Sequence, residues 1–358
     1  MSARSSGRRP SLRSGLALTA ATIVLCLLAG ELITRLADPG VSLWDWPCYA
    51  VEAPKPAPGE TQFAYDPTLG WAPIPGSSGT MLGVPLSFTE QGTREQNRDR
   101  PQAARPLIIA FGDSMTEGYG VGNDETWPAH LERLLGVRVL NAGVRGYGLD
   151  QIVLRAEHMI PALEPSAVVL AFIADDISRT ALSVRDAKGK PYFVPDGEGL
   201  ALRNVPVQGA GRSWITTVTR HILGYSHLFD RIVNGLGVQQ LWYGSEVATE
   251  ADSFVVSCRL MHRLAAVVKR QRAKALVVAL PEQGVFLDAK AAAGQHEALT
   301  QVLGCASKAG LATLDILEAF QKENVGRDID AYYTMMHFSD RSSAIAARSI
   351  AAALAARE

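Results

Sequence analysis

The stretch Leu107-Ile108-Ile109-Ala110-Phe111-Gly112-Asp113-Ser114 decides the fold. Its apolar run predicts a buried strand, and Gly112 allows the tight turn that follows. Ser114 would then stand at the carboxyl end of a central strand, where open α/β sheets place their chemistry. A strand followed by an ordinary polar turn is the alternative, and the rest of the chain has to decide between the two.

Apolar strands and amphipathic helices alternate through the rest of the chain. Strands are predicted at residues 137–140, 167–173, 275–280 and 311–316, and helices at 128–135, 149–160, 254–269, 292–308 and 343–356. Gly136 is suited to end the first of these helices, and Pro161 is expected to close the second. This alternation predicts a parallel sheet covered by helices on both faces. Polar or glycine-rich segments follow the strands, so we expect them to converge on one edge of the sheet.

The composition excludes several classes of function. The chain has 358 residues, of which 47% are hydrophobic and 20% charged, with a net charge of −1. No basic stripe indicates a nucleic-acid partner, and no ligand spacing or glycine fingerprint indicates a metal or another cofactor. Of the four cysteines, Cys26 lies in an apolar segment. The other three, Cys48, Cys258 and Cys305, allow either one disulfide with a free thiol or three inert thiols.

The N-terminus predicts a single membrane span. A basic tail over residues 1–14 precedes an apolar segment at 15–36, whose uncharged part is short for a bilayer that takes about 20 residues. We expect the helix to continue through Glu31 and Arg35, which can pair near the interface. Because arginines stay cytoplasmic, the remainder of the chain is expected to cross the membrane and to stay anchored to it. A cleaved signal peptide, which would release a secreted protein, is the alternative.

Residues 37–105 are predicted to form a Pro-rich linker and lead-in, and residues 106–356 the main α/β domain. An insertion at 178–250 interrupts the alternation of strands and helices. It is predicted to hold a hairpin and two short helices, at residues 191–202, 215–223 and 228–236. Its place beside the expected active edge suits a lid or specificity element, and a surface elaboration is the alternative.

Four segments resemble the sequence blocks of the SGNH/GDSL hydrolase superfamily, in the same order along the chain. They are Gly112-Asp113-Ser114 with Gly118, Asn141-Ala-Gly-Val-Arg-Gly146, Ala174-Asp175-Asp176, and Met335-Met336-His337-Phe338-Ser339. The resemblance covers roughly residues 105–355. It implies the SGNH hydrolase fold, a flavodoxin-like three-layer α/β/α sandwich with a central parallel sheet.

The resemblance implies Ser114 as the nucleophile and His337 as the catalytic base, because those residues occupy the matching positions of the first and last blocks. A serine hydroxyl is a poor nucleophile until a base takes its proton, and histidine titrates near neutrality. The backbone amides of Ser114 and Gly146 are implied as oxyanion-hole donors. Such donors must be aimed in advance at the charge that develops on the carbonyl oxygen.

Two positions depart from the family pattern. The oxyanion asparagine falls on Asp175, which donates only if burial keeps it protonated and otherwise plays no catalytic part. The aspartate of the final Asp-x-x-His block falls on Thr334. Its hydroxyl or a backbone carbonyl can orient the His337 ring, and Asp330 and Asp340 are nearby carboxylates able to replace the aspartate.

The resemblance therefore implies a membrane-anchored esterase that acts on O-acyl esters, with O-acetyl groups of cell-envelope or extracellular glycans as the expected substrates. An O-acyltransferase differs only in passing the acyl group to a sugar hydroxyl, and the sequence does not separate the two. A catalytically degenerate protein that keeps the fold for glycan binding or assembly is the other alternative. Asp175 and Thr334 are the features that favour it.

Overall fold

A five-stranded parallel sheet contains the strand that precedes Ser114. Its strands, in spatial order, are Ala312–Asp315, Lys274–Ala279, Ala167–Phe172, Leu107–Phe111 and Arg138–Asn141. Numbered along the chain and read from the Arg138–Asn141 edge, the order is 2-1-3-4-5, that of flavodoxin-like folds. Every residue of Leu107–Phe111 and Ala167–Phe172 is buried, as expected for strands covered on both faces.

Helices cover both faces of this sheet. Successive side chains of a strand point to opposite faces, so Ile109 and Phe111 join one core cluster whereas Ile108 and Ala110 join another. The first cluster packs against the helices Leu149–Leu163, Ser253–Gln271 and Ala289–Lys308, and the second against Trp127–Leu135 and Asp340–Ala355. The predicted three-layer α/β/α sandwich is confirmed.

The computed structural model describes residues 12–38, 41–44, 46, 62–97, 106–186, 188–207, 218–219, 222–236 and 246–356. They belong to two units, one of Met1–Pro54 with Gly211–Gly244 and one of Lys55–Ala210 with Ser245–Glu358. The Pro-rich stretch at 51–59 lies outside the described residues, as does most of the helix predicted at 215–223.

Short antiparallel elements complete the larger unit. Its hairpins are Phe63–Asp66 with Gly70–Pro73, Ser78–Met81 with Val84–Ser87, Tyr192–Asp196 with Gly199–Arg203, and Tyr333–Thr334 with His337–Phe338. A three-stranded sheet joins Leu182–Arg185 to Lys188–Gly189 and Glu246–Ala248. The other short α-helices among the described residues are Ser114–Glu117, Ala174–Ser178, Leu317–Lys322 and Ile329–Tyr332. Short 3₁₀ helices span Asn123–Glu125, Arg179–Ala181, Gln283–Phe286 and Val325–Arg327. The hairpin predicted at residues 191–202 is confirmed.

The lead-in before the α/β domain includes folded structure that packs on that domain. Trp71 and Leu86, in its two hairpins, are buried, and Trp71 belongs to the same core cluster as Phe111. Arg94 is fully enclosed and donates to the carbonyl oxygens of Glu117 and Gly118. Residues 62–97 are therefore part of the folded body that supports the turn after the central strand.

Two of the predicted helix ends can be compared with the structure. Gly136 ends Trp127–Leu135 in the left-handed conformation, with φ of 65°, as predicted. The prediction that Pro161 closes the next helix is wrong, because Leu149–Leu163 runs through it. A proline so near the end removes only one backbone donor from the helix, and Glu164, in the left-handed conformation, ends it instead.

A disulfide joins Cys258 to Cys305 and so links the helices Ser253–Gln271 and Ala289–Lys308. Of the two alternatives for the cysteines, the structure thus contains the disulfide. Cys26 is a free, exposed thiol, and Cys48 lies outside the described residues.

The smaller unit contains two described helices, Leu12–Ala37 and His227–Gly235. The first includes an apolar segment, Gly15–Ala37, that is long enough to cross a membrane, with a mean hydropathy of 2.2. It corresponds to the predicted N-terminal span and continues through Glu31 and Arg35, as expected. The second corresponds to the helix predicted at residues 228–236.

Candidate active site

Ser114 lies in the first turn after the central strand. Gly112 is required before it, because a Cβ there would sit only 2.8 Å from the carbonyl oxygen of Ala171. Asp113 caps the short helix Ser114–Glu117 by accepting a hydrogen bond from the Met115 amide at 2.9 Å. The turn places Ser114 at the carboxyl edge of the sheet, with 7% of the residue exposed.

The structure brings the two predicted catalytic residues together. The Ser114 hydroxyl oxygen is 2.8 Å from Nε2 of His337. On the other side of the ring, Nδ1 is 2.8 Å from the carbonyl oxygen of Met335. Because a carbonyl oxygen only accepts, Nδ1 carries the proton and Nε2 offers its lone pair to the serine hydroxyl. This is the tautomer that a general base for serine needs.

A tight hairpin positions His337. The strands Tyr333–Thr334 and His337–Phe338 pair with only Met335 and Met336 between them. Both methionines are exposed and have positive φ, 48° and 67°. Two positive φ values define a type I′ turn, which usually takes Asn-Gly.

Aromatic contacts fix the base of this hairpin and one side of the histidine ring. Phe338 is buried and packs against Tyr333 and Phe320, with ring centroids 5.6 and 5.1 Å away. The ring of Tyr119 lies 4.7 Å from the ring of His337, between centroids. The imidazole is therefore held by a ring contact as well as by its two hydrogen bonds.

None of the three side chains predicted to orient His337 bonds its Nδ1 among the described residues. Thr334 lies opposite His337 in the hairpin, but Nδ1 bonds the main-chain carbonyl of Met335. Asp340 bonds Nε2 of His130 instead, at 2.7 Å, and Asp330 is exposed on Ile329–Tyr332. Of the possibilities that the sequence left open, the backbone carbonyl is the one present.

Gly146 lies in the loop that follows Arg138–Asn141, and its φ of 76° suits glycine. The loop packs closely on the helix Ser114–Glu117, since a Cβ on Gly143 would lie 2.3 Å from the Glu117 amide. Buried Glu117 also accepts from the Arg145 amide at 2.6 Å and from its guanidinium. No described residue accepts a hydrogen bond from the Gly146 amide. Its place in an oxyanion hole stays a prediction.

Asp175 does not meet the condition set for an oxyanion donor. Its side chain is 53% exposed, so it lacks the burial on which the predicted donor role depends. Its Oδ2 accepts from Nη2 of Arg179 at 2.9 Å. A carboxylate oxygen that pairs with a guanidinium acts as a hydrogen-bond acceptor. In the structure the Asp175 carboxylate accepts from Arg179, and both its place in an oxyanion hole and the alternative, in which it plays no catalytic part, stay predictions.

Arg179 gathers the acidic residues beside the nucleophile, a role that the sequence reasoning missed. Its Nη1 lies 2.7 Å from Oδ1 of Asp176 and 3.4 Å from Oδ2 of Asp113. Burial raises the pKa of Asp176, and the Asp113 carboxylate raises it further, while Arg179 opposes both. The spacing of Asp175, Asp176 and Arg179 along one helical turn was the available signal.

Glu282 is a further acidic residue of this cluster that the sequence reasoning missed. It follows the strand Lys274–Ala279 at the same edge of the sheet. Burial, together with the charges of Asp175 and Asp113, raises its pKa to about 7. A polar residue directly after a predicted buried strand was the signal that could have found it. Among the described residues, no group of three or more His, Cys, Asp or Glu side chains is arranged so that it could hold a metal ion.

Comparison with known proteins agrees with this architecture. The GDSL-like Lipase/Acylhydrolase family matches residues 110–345, which include both Ser114 and His337. The chain belongs to this family of GDSL-like lipases and acylhydrolases. No curated protein matches it significantly.

Several solved structures are similar to the chain. A member of the lipolytic protein G-D-S-L family from Veillonella parvula DSM 2008 is 13% identical, with a TM-score of 0.40 over 68% of this chain and 94% of that chain. The acetyl xylan esterase AlAXEase is 14% identical, with a TM-score of 0.42, and the match covers 69% of this chain and 99% of that chain. The acetyl xylan esterase Axe2 from Geobacillus stearothermophilus is 13% identical, with a TM-score of 0.44, and the match covers 71% of this chain and 96% of that chain.

Proposed function

We propose that this chain is a serine ester hydrolase with Ser114 as nucleophile and His337 as general base. The observation that carries the proposal is the 2.8 Å contact between Ser114 Oγ and His337 Nε2, with Nδ1 bonded to the Met335 carbonyl. Membership of a lipase and acylhydrolase family supports ester bonds as the target.

In the proposed reaction, Ser114 Oγ attacks the ester carbonyl carbon while its proton moves to Nε2 of His337. The amides of Ser114 and Gly146 are the proposed donors to the oxyanion that forms. The imidazolium then protonates the departing alcohol, and an acyl-enzyme remains on Oγ. Water gives a proton to Nε2 as it attacks the acyl carbon. The acid leaves, and Oγ regains its proton from the imidazolium.

The proposed substrates are O-acyl esters, O-acetyl esters included, of cell-envelope or extracellular glycans. The N-terminal apolar helix supports attachment to a bacterial inner membrane with the catalytic domain in the periplasm. The Cys258–Cys305 disulfide supports an oxidising compartment of this kind. A secreted form released by signal cleavage is the alternative location, and an O-acyltransferase would use the same acyl-enzyme.

The test compares wild type with Ser114→Ala and His337→Ala on a chromogenic acetate ester. Wild type should turn over and should react with a fluorophosphonate probe, and Ser114→Ala should do neither. Loss of either group should lower kcat by about 10⁴-fold or more. Ser307→Ala, at an exposed serine, is the matched control. A wild type that neither labels nor hydrolyses the ester would contradict the proposal.

The degenerate binding protein is the second candidate, and the Asp175–Arg179 pair is the observation that favours it. If it is correct, wild type binds a glycan without turnover, and Ser114→Ala binds it equally well. Activity that first appears in the double variant Asp175→Asn/Thr334→Asp would also support it. Turnover by wild type removes this candidate.

A further inference from the structure

The last turns of the N-terminal helix have two different sides. Glu31 and Arg35, one turn apart, are only 9% and 3% exposed. Leu32, Ile33 and Leu36, on the remaining sides of the same turns, are 50%, 64% and 64% exposed. Protein therefore covers the charged side of the helix end, and the apolar sides stay open.

Residues 222–236, here called the collar, provide that cover. The Glu31 carboxylate accepts from the Ser226 hydroxyl at 2.7 Å and from the amides of His227 and Leu228 at 2.9 and 3.0 Å. It also accepts from Nε of Arg35 at 2.6 Å. Glu31 thus satisfies the free amides at the start of His227–Gly235 and places a negative charge at that helix N-terminus.

Arg35 and Gly30 extend the contact on either side of Glu31. Nη2 of Arg35 donates to the carbonyl oxygen of Tyr225 at 3.1 Å, and its guanidinium lies 3.9 Å from the centre of the Trp46 ring. A Cβ on Gly30 would come within 2.8 Å of a Leu228 methyl group, so the two helices approach closely there. The collar is joined to the N-terminal helix by charge, hydrogen bonds and packing together.

The outer surface of the collar exposes several apolar and aromatic side chains, next to the exposed polar residues Arg231 and Asn234. Ile222, Tyr225, Ile232 and Leu236 are 68%, 42%, 45% and 70% exposed. Exposed apolar and aromatic side chains beside the end of a membrane-length helix are typical of the interface between lipid and water. The exposed Trp46, stacked on Arg35, belongs to the same end of the helix.

We propose that the collar lies in the head-group region of the bilayer that the N-terminal helix spans, with Ile222, Ile232 and Leu236 in contact with lipid. This inference rests on the membrane attachment in the proposed function and not on its hydrolase chemistry. The collar and the end of the N-terminal helix both expose apolar side chains. Bilayer lipid is therefore the occupant that suits both.

The arrangement explains how a helix with two charges near its end fits a bilayer. With Glu31 and Arg35 turned toward the collar, the lipid-facing side runs the full 23 residues of Gly15–Ala37. At 1.5 Å per residue that is about 35 Å, enough for a hydrocarbon core of about 30 Å. Removal of the N-terminal helix would also leave the amides of His227 and Leu228 without the Glu31 carboxylate, because the N-cap residue Ser226 accepts from Phe229 instead. We therefore infer that the helix is retained in the mature protein.

The first test measures depth in the membrane. Full-length protein carrying Cys26→Ser and Cys48→Ser is given a single fluorescent label through Ile232→Cys or, as control, Glu318→Cys, and is placed in nanodiscs with head-group-quencher lipid. Glu318 is an exposed residue of the larger unit. The label at 232 should be quenched and the label at 318 should not. Equal, weak quenching at both positions would overturn the proposal.

The second test breaks the contact between collar and helix. Gly30→Phe should displace the collar and abolish the quenching at 232, whereas Gly15→Phe should not, because nothing lies within 4 Å of a Cβ at Gly15. Glu31→Leu should likewise displace the collar and abolish the quenching at 232. Unchanged quenching in both Gly30→Phe and Glu31→Leu would contradict the assignment.

The intact mass of the membrane-bound protein provides an independent measurement. It should include the N-terminal helix, and a mature chain that begins after Glu31 would overturn the inference. Hydrolysis of the acetate ester is measured on the same nanodiscs. Its absence from wild type would remove the proposed chemistry while leaving the quenching result to stand on its own.

Discussion

The Nδ1–H of His337 donates to the carbonyl oxygen of Met335 at 2.8 Å, and Met335 has the left-handed backbone conformation. The histidine is therefore held in one tautomer by the main chain of its own hairpin. A carbonyl carries a partial charge, so it orients the ring but stabilises an imidazolium less than a carboxylate does. The proposed catalytic pair is a Ser–His dyad with a backbone orienter.

We expect Thr334→Ala, Asp330→Ala and Asp340→Ala each to keep kcat/KM within about twofold of wild type, the size of an ordinary surface substitution. None of these side chains bonds Nδ1 of His337 in the structure. The measurement is kcat/KM on the chromogenic acetate ester, with His337→Ala as the inactive reference. A large loss in any one of the three would identify that side chain as the orienter instead.

The turn that carries Met335 and Met336 should be open to stabilisation. Positive φ at a residue other than glycine costs roughly 1–2 kcal/mol, and a type I′ turn takes Asn-Gly most readily. Met335→Asn with Met336→Gly should therefore raise Tm while retaining esterase activity, because the carbonyl at position 335 is unchanged. As a control, Leu134→Asn replaces an exposed apolar residue of a helix. A stabilised but inactive turn variant would show that the methionine side chains take part in function.

Glu282 should make the protein less stable as the pH rises. Its pKa is about 7 in the folded chain and 4.5 in the ordinary case. Between these values the folded chain binds more protons than the unfolded chain, so the free energy of unfolding falls as the pH increases. Glu282→Gln, which keeps an acceptor oxygen, should be the more stable protein at pH 8.5 by on the order of 1–2 kcal/mol, allowing for solvent screening.

At pH 4.5 wild type and Glu282→Gln should unfold alike, because the carboxyl is then largely protonated in the folded chain. The measurement is urea unfolding at both pH values. Glu297→Gln, at an exposed glutamate, serves as control. An identical pH dependence in wild type and Glu282→Gln would count against the raised pKa.

A buried ion pair secures the start of the insertion. Nζ of Lys190 lies 2.5 Å from Oδ2 of Asp150, and both side chains are fully buried. Lys190→Met should cost about 3–5 kcal/mol because it leaves the carboxylate without its partner. Lys190→Met with Asp150→Leu should recover most of that loss. As a control, Lys308→Met, at an exposed lysine, should change the free energy of unfolding in urea by no more than about 0.5 kcal/mol. An equally small effect of Lys190→Met would contradict the expected loss.

The sheet was predictable from sequence because its strands are short apolar runs that need cover on both faces. The turn at Gly112 and Ser114 was predictable because a close backbone approach there admits only glycine. His337 was identified through the family resemblance, and the structure places it beside Ser114. At each of these positions the structure depends on a short stretch of sequence or on the identity of one side chain, and both can be read from the sequence.

Other features depend on contacts that no local pattern records. The bond from His337 to Met335 uses a main-chain carbonyl, which every residue possesses and no motif displays. Glu31 bonds Leu228, 197 positions away in the chain, so its capping role is invisible in the helix alone. Pro161 was misjudged because propensity describes the middle of a helix better than its last turn.

The backbone bond at Met335 also has a consequence for how inactive relatives are recognised. A substitution at position 334 or 335 leaves the main-chain acceptor in place, so a change of side chain there does not by itself remove this element of the site. A survey that scores members of the family as pseudoenzymes whenever the aspartate before the histidine is missing would exclude this chain. In this hairpin, that aspartate is not needed to hold the histidine tautomer, because the Met335 carbonyl does so.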